Sequence, residues 1–93
     1  MENAEIIEVL NGIANLLKAK KDSIFKIRAY EKVAKTITEM DVNIELLARE
    51  NRLKEIPGVG KAIDKKITEL VTTGKLQYYE NLKSEFSESE TDK

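Results

Sequence analysis

Between Glu55 and Lys66 the chain reads EIPGVGKAIDKK, and two kinds of chemistry lie within that stretch. Gly58 and Gly60 flank Val59, and a run bearing Lys61, Lys65 and Lys66 follows at once. Glycine opens backbone angles closed to other residues and, lacking Cβ, admits a ligand to the main chain. A helix that starts at the second glycine presents N–H groups without internal partners, at the positive end of its dipole. A phosphate oxygen satisfies both conditions. Val59 can plug the turn onto a core while Lys61 adds Coulombic grip. The second chemistry is that of an amine. A lysine attacks a carbonyl only when unprotonated, a state that burial or a cationic neighbour favours, and Lys61 and Lys65 are such neighbours. Lys66 falls three residues after Ile63 and four before Leu70, at the edge of an apolar face. Spacing alone also allows a lysine that lays its stem over the core with its charge in water.

The elements that must position these residues are helices. Ile6, Val9, Leu10, Ile13, Leu16 and Leu17 recur at helical spacing, which predicts a helix over residues 4–18 with Asn3 as N-cap. A second helix starts after Asp22 or Ser23, with Ile24, Ile27, Tyr30, Val33, Ala34 and Ile37 on its buried face and Lys26, Arg28, Lys32 and Lys35 off it. MDVN is a loop with two capping residues, Asp41 and Asn43. A helical stretch over 44–50 leads to a short helix near 52–55, which Pro57 ends. The next helix covers about 60–73, with Gly74 in the left-handed position after it, and the last covers about 76–86. The apolar period is 3.6 throughout. The expected fold is all-α, a compact bundle of four to five helices over residues 1–86, followed by a disordered acidic tail over 87–93.

Composition removes several function classes. In 93 residues there is no cysteine and no histidine, so disulfides, thiolate metal sites and the usual general base are all excluded. No basic leader or long apolar run is present, which predicts an intracellular chain, cytoplasmic or nuclear, with no membrane partner. The net charge of −1 hides a segregation. Residues 1–17 carry three Glu and no base, and residues 84–93 carry four acids and one Lys. Residues 18–83 hold 15 Lys and Arg against ten Asp and Glu. A basic working surface between acidic ends fits that pattern, as does scattered solubilising charge.

Leu53 and Ile56, then Pro57, Gly58-Val59-Gly60, then Ile63, Ile67 and Leu70 on one helical face, match a helix-hairpin-helix. Such a module grips the DNA backbone through phosphates without reading sequence. The chain further resembles the N-terminal lyase domain of family X DNA polymerases, the polymerase β type. NGIANLLKAK resembles its first helix, FKIRAYEKVAKTI its second, and LKEIPGVGKAIDKKITELVTTGKL its hairpin and exit. That family removes a 5′-deoxyribose phosphate by a lysine Schiff base and β-elimination. The resemblance implies Lys66 as nucleophile, Lys26 and Lys54 as phosphate contacts, Tyr30 in the same pocket, and Phe25 against a template base. It implies DNA contacts at the hairpin through Gly58, Val59, Gly60, Lys61 and Lys65. No cofactor is required, but a monovalent cation is implied at the carbonyls of Lys54, Ile56 and Val59. Departures from the family pattern fall at Asp64 for a small residue, Lys65 for an acid, Ala62 for a lysine, and Tyr78 for a base.

Three functions follow as expectations. The first is a repair domain for gapped or 5′-end DNA with lyase activity. The second is a non-catalytic module that brings a polymerase or nuclease catalytic domain to DNA, and the third a helical interaction domain. The basic middle segment and the hairpin favour the first two. Polymerase activity is not expected of these residues alone, because nucleotide transfer needs a carboxylate-held metal pair. The polar end SESETDK reads as a natural terminus, although a domain linker has similar composition. With no spare apolar stripe, a monomer is expected.

Overall fold

The computed structural model describes the backbone of residues 1–91 and the side chains of residues 1–86. Five α-helices follow in order: α1 (Asn3–Ala19), α2 (Ile24–Glu39), α3 (Ile44–Arg49), α4 (Lys61–Thr73) and α5 (Gln77–Thr91). One turn of 3₁₀-helix, Leu53–Glu55, lies between α3 and α4. The described residues contain no strand, as the uniform helical period required. α5 runs past the expected end at 86, so the backbone of 87–91 is helical where a disordered acidic tail was expected, and 92–93 lie outside the described residues.

α1 folds back on α2, and this pair is the main packing unit. Ile6, Leu10, Ile13 and Leu17 from α1 and Ile27, Val33, Ala34 and Ile37 from α2 are buried as the spacing implied. Ile24, in the first turn of α2, is instead 50% exposed, and Ala14, which the spacing did not mark, is buried. Leu53, Ile56, Val59, Ile63, Ile67 and Leu70 extend the same core beneath the hairpin. Among the described residues no charged or polar side chain is buried in it. Each fully buried Ile or Leu contributes about 1.5–3 kcal/mol of transfer free energy, so the hairpin is anchored by apolar packing and its charges are left for solvent.

The helix starts show two corrections. Asn3 is the first residue of α1, and Glu2 is the N-cap, its N–H donating to the Glu5 carboxylate at 3.2 Å. The Asn3 amide, with both donor and acceptor, serves a loop instead: Nδ2 donates to the Val42 carbonyl at 2.6 Å, and Oδ1 accepts from the Ile44 N–H at 3.0 Å. It thereby ties the α2–α3 connection to α1. Ser23 caps α2, accepting from the Phe25 N–H at 3.2 Å, and Asn43 caps α3, accepting from the Leu46 N–H at 3.2 Å. Asp41 caps no helix.

Candidate nucleic-acid interface

Local backbone geometry builds the hairpin. The 3₁₀ turn ends as Pro57 is reached, and the Val59 N–H donates to the Ile56 carbonyl at 3.0 Å, closing a tight turn. Gly58 sits in the left-handed region at φ 93°, which a side chain adopts only under strain. Gly60 differs. Its φ of −99° and ψ of −173° are open to any residue, and a Cβ there would meet nothing within 4 Å. Its role is absence of bulk. The first helical bond of α4 runs from the Asp64 N–H to the Gly60 carbonyl at 2.9 Å, and the N–H groups of Lys61, Ala62 and Ile63 have no partner among the described residues. An anion at the mouth of the turn would meet these donors at the positive end of the α4 dipole.

A cleft of about 470 Å³ opens beside them. α2 contributes Lys26, Ala29 and Tyr30; the hairpin and α4 contribute Gly58, Gly60, Lys61, Ala62, Ile63 and Lys66; α5 contributes Tyr78. Tyr30 is only 6% exposed, and its ring stacks on Tyr78 at 6.5 Å between centroids and 18° between planes. Burial, with Tyr78 alongside, pushes its phenol well above the ordinary tyrosine range. At neutral pH Tyr30 is therefore uncharged and not a base. The Lys66 ammonium lies over the Tyr78 ring, 4.7 Å from its centroid. Lys26 stands 60% exposed with Nζ 3.7 Å from Asp22 Oδ1, a loose contact. The Ser23 N–H bonded to Asp22 holds that carboxyl below its usual range, with Lys26 adding to the effect.

The remaining cations predicted from sequence are not in this cleft. Lys54 and Lys65 line a groove of about 520 Å³ with Asn51, Asp64, Thr68, Glu69, Thr72 and Thr73. Lys61 borders both hollows. Spacing along α4 explains the division: Lys65 and Lys66 are adjacent, so about 100° of helix separates them. Asp64 lies among the groove lysines and accepts from the Thr68 hydroxyl at 3.3 Å. Phe25 is 81% exposed in the first turn of α2 and lines neither hollow. Val59 is buried and plugs the turn, as its position between the glycines implied.

The carbonyls of Lys54 and Val59 accept no hydrogen bond among the described residues, and that of Ile56 accepts one. Free carbonyl oxygens on one turn are the donor set a hard monovalent cation takes. Among the described residues no cluster of three or more Asp, Glu, His or Cys could hold a metal ion. No described helix is long and apolar enough to cross a membrane.

Tyr78 is the residue that sequence reasoning did not place at the site, where it stood only as a departure from a basic position. Its placement comes from the turn before α5. There the Glu69 carboxylate accepts the Gln77 N–H at 2.8 Å, while buried Leu76 pins the helix start. The available signal was its place four residues before Leu82, which puts both side chains on one face of α5.

Comparison with known proteins gives a family and relatives. A family described as a helix-hairpin-helix domain matches residues 1–76. DNA polymerase lambda of Arabidopsis thaliana is 31% identical over 83 residues, which cover 89% of this chain and 15% of that polymerase. The chain thus spans about one seventh of that relative's length.

Proposed function

Since the chain belongs to the helix-hairpin-helix domain family, we propose that it binds DNA independently of sequence, in a repair setting, at gaps or 5′-phosphate ends. The similarity to a DNA polymerase supports that setting. The observation that carries the reading is the cleft, where the free N–H groups of α4, Lys26, Lys61, the neutral Tyr30 phenol and Lys66 converge. Cations and donors there suit a terminal phosphate, and the amine lies beside them. Lys54 and Lys65, across α4, extend the grip to a neighbouring stretch of backbone. The exposed Phe25 ring supplies a stacking surface for an unpaired base. A monovalent cation at the carbonyls of Lys54, Ile56 and Val59 would add positive charge under the phosphate.

The finer reading is a 5′-deoxyribose phosphate lyase. The unprotonated Lys66 amine adds to the C1′ aldehyde of the opened sugar, and loss of water gives the imine. Removal of a C2′ proton then expels the 3′ oxygen as the 5′-phosphate of the downstream strand, and water releases the sugar from Lys66. Tyr30, held neutral, serves by donating to the substrate phosphate. The domain is taken as residues 1–86, joined in larger assemblies to a polymerase or nuclease catalytic domain.

Borohydride trapping on gapped DNA carrying a 5′-deoxyribose phosphate tests this. A covalent complex in wild type that is lost in Lys66→Ala, with DNA affinity kept within severalfold, is the expected result. A protein that binds the same DNA but is never trapped would overturn the lyase reading. One contact favours that second reading, a non-catalytic module: the Lys66 ammonium rests on the Tyr78 ring and must leave it to attack.

A further inference from the structure

Three cations of α2 lie outside both hollows: Arg28, Lys32 and Lys35. Their spacing of four and three residues places them on one stripe, turned away from buried Ile27, Val33, Ala34 and Ile37. All three are exposed, and none lies within 4 Å of a carboxylate among the described residues. Glu31 is held by Lys18 at 2.6 Å. Glu39, four residues after Lys35, makes no ion pair with it. Like charges three and four apart destabilise a helix, a cost that a polyanionic partner would reverse.

Lys32 joins this stripe to the hairpin. A Cβ built on Gly58 would lie 3.6 Å from Lys32 Cδ and 3.8 Å from its Cε. The apolar stem therefore lies against the left-handed turn, with the ammonium one bond beyond. Arg28 to Lys35 spans about 10 Å of helix axis, and one strand of duplex carries a phosphate per about 3.4 Å of its axis. Three cations can thus face about three phosphates.

We propose that the nucleic-acid backbone gripped by the hairpin continues onto α2, along Arg28, Lys32 and Lys35, with Lys32 at the junction. The ligand of the stripe is the phosphate backbone of duplex flanking the gap. The inference rests on the DNA-binding reading above, and one titration separates the two. The whole chain is titrated onto a fluorescent gapped duplex at several KCl concentrations, and the slope of log affinity against log salt is read. Each neutralised phosphate contributes about 0.9 to that slope. Lys32→Gln should flatten it by about 1, and R28Q/K32Q/K35Q by about 2–3. Lys18→Gln, which removes an ion-paired cation of α1, should leave it unchanged. A triple variant with wild-type helicity and wild-type slope overturns the stripe while leaving the hairpin reading intact. Equal flattening by Lys18→Gln also overturns it, because binding would then follow overall charge. Wild type with no salt-dependent affinity for DNA would remove the underlying reading and this inference together.

Discussion

Arg52 and Lys61 stand at the two ends of the hairpin segment, and the protein uses them in opposite ways. Arg52 is enclosed by acids: Nε donates to Glu55 at 2.9 Å, Nη2 to the same carboxylate at 3.0 Å, and Nη1 to Glu50 at 2.8 Å. Lys61, with Lys54, Lys65 and Lys66, has no carboxylate within 4 Å among the described residues. Several cations elsewhere follow Arg52: Lys18 pairs with Glu31, Lys20 with Glu85, Arg49 with Glu45 and Lys83 with Glu80, whereas Arg28, Lys32 and Lys35 of α2 stay unpaired among the described residues, like Lys61. A surplus of positive charge does not by itself mark a binding surface. Cations left unpaired beside free backbone donors do, because there a phosphate displaces only water.

The sharpest break of that contrast comes from the glycines that hold the unpaired corner open. Gly58→Val forces a β-branched residue to φ 93°, a strain of about 1–3 kcal/mol. In a domain of this size that lowers the thermal midpoint by about 4–8 °C per kcal/mol and misplaces the turn. Gly60→Val should leave the midpoint within about a degree of wild type, since its dihedrals are ordinary and its Cβ meets nothing. It nevertheless puts a branched side chain before the α4 donors, and DNA affinity should fall about tenfold or more, a loss of about 1.4 kcal/mol. Melting and anisotropy on the two variants separate conformation from access. Loss of stability in Gly60→Val would show that the second glycine is structural after all.

The helices and the hairpin were legible because an apolar face at period 3.6 and a Pro-Gly-x-Gly turn each have a local cause. The cleft was legible in part. Lys26, Tyr30, Lys61 and Lys66 do converge, whereas Lys54 and Lys65 lie across α4, a division that one residue of helical rotation decides. What escaped depends on contacts distant in sequence. Asn3 reads as a cap until a loop 39 residues away offers better partners. Tyr78 reads only as a departure from a basic position until its ring stacks on that of Tyr30, on a different helix.

Arg52 and Lys61 supply the middle test. Lys61→Gln should weaken DNA binding severalfold, as loss of a charge-assisted contact does, while Arg52→Gln leaves affinity near wild type. Arg52→Gln acts on acid stability instead. Its hydrogen bonds hold the Glu55 carboxyl below the usual range, so the folded value lies under the unfolded one, about 4.3. A depressed carboxylate contributes stability above the unfolded value and loses it as pH falls through the folded one. The wild-type midpoint should therefore drop below about pH 4, and the Arg52→Gln profile should be flatter there. A variant that instead loses DNA affinity as Lys61→Gln does would show that paired and unpaired cations serve the interface alike.

The smallest effect concerns left-handed backbone. The interface places glycine at such a position, Gly58, but the turns after α1 and α3 place Lys21 and Asn51 there, both at φ 58°. Both turns close in the same way: Asp22 N–H donates to the Leu17 carbonyl at 2.9 Å, and Arg52 N–H to the Leu47 carbonyl at 2.8 Å. Asn tolerates that conformation, whereas Lys bears most of the steric cost, about 1–2 kcal/mol for an ordinary residue. Glycine would remove it but give back about 0.5–1 kcal/mol in unfolded-chain entropy. Lys21→Gly should thus raise the midpoint by about 2–8 °C and leave DNA affinity unchanged, since Lys21 lines neither hollow. A stabilised variant that binds DNA more weakly would extend the basic surface to the α1–α2 turn, and Lys21 would then be retained for its charge in spite of its backbone.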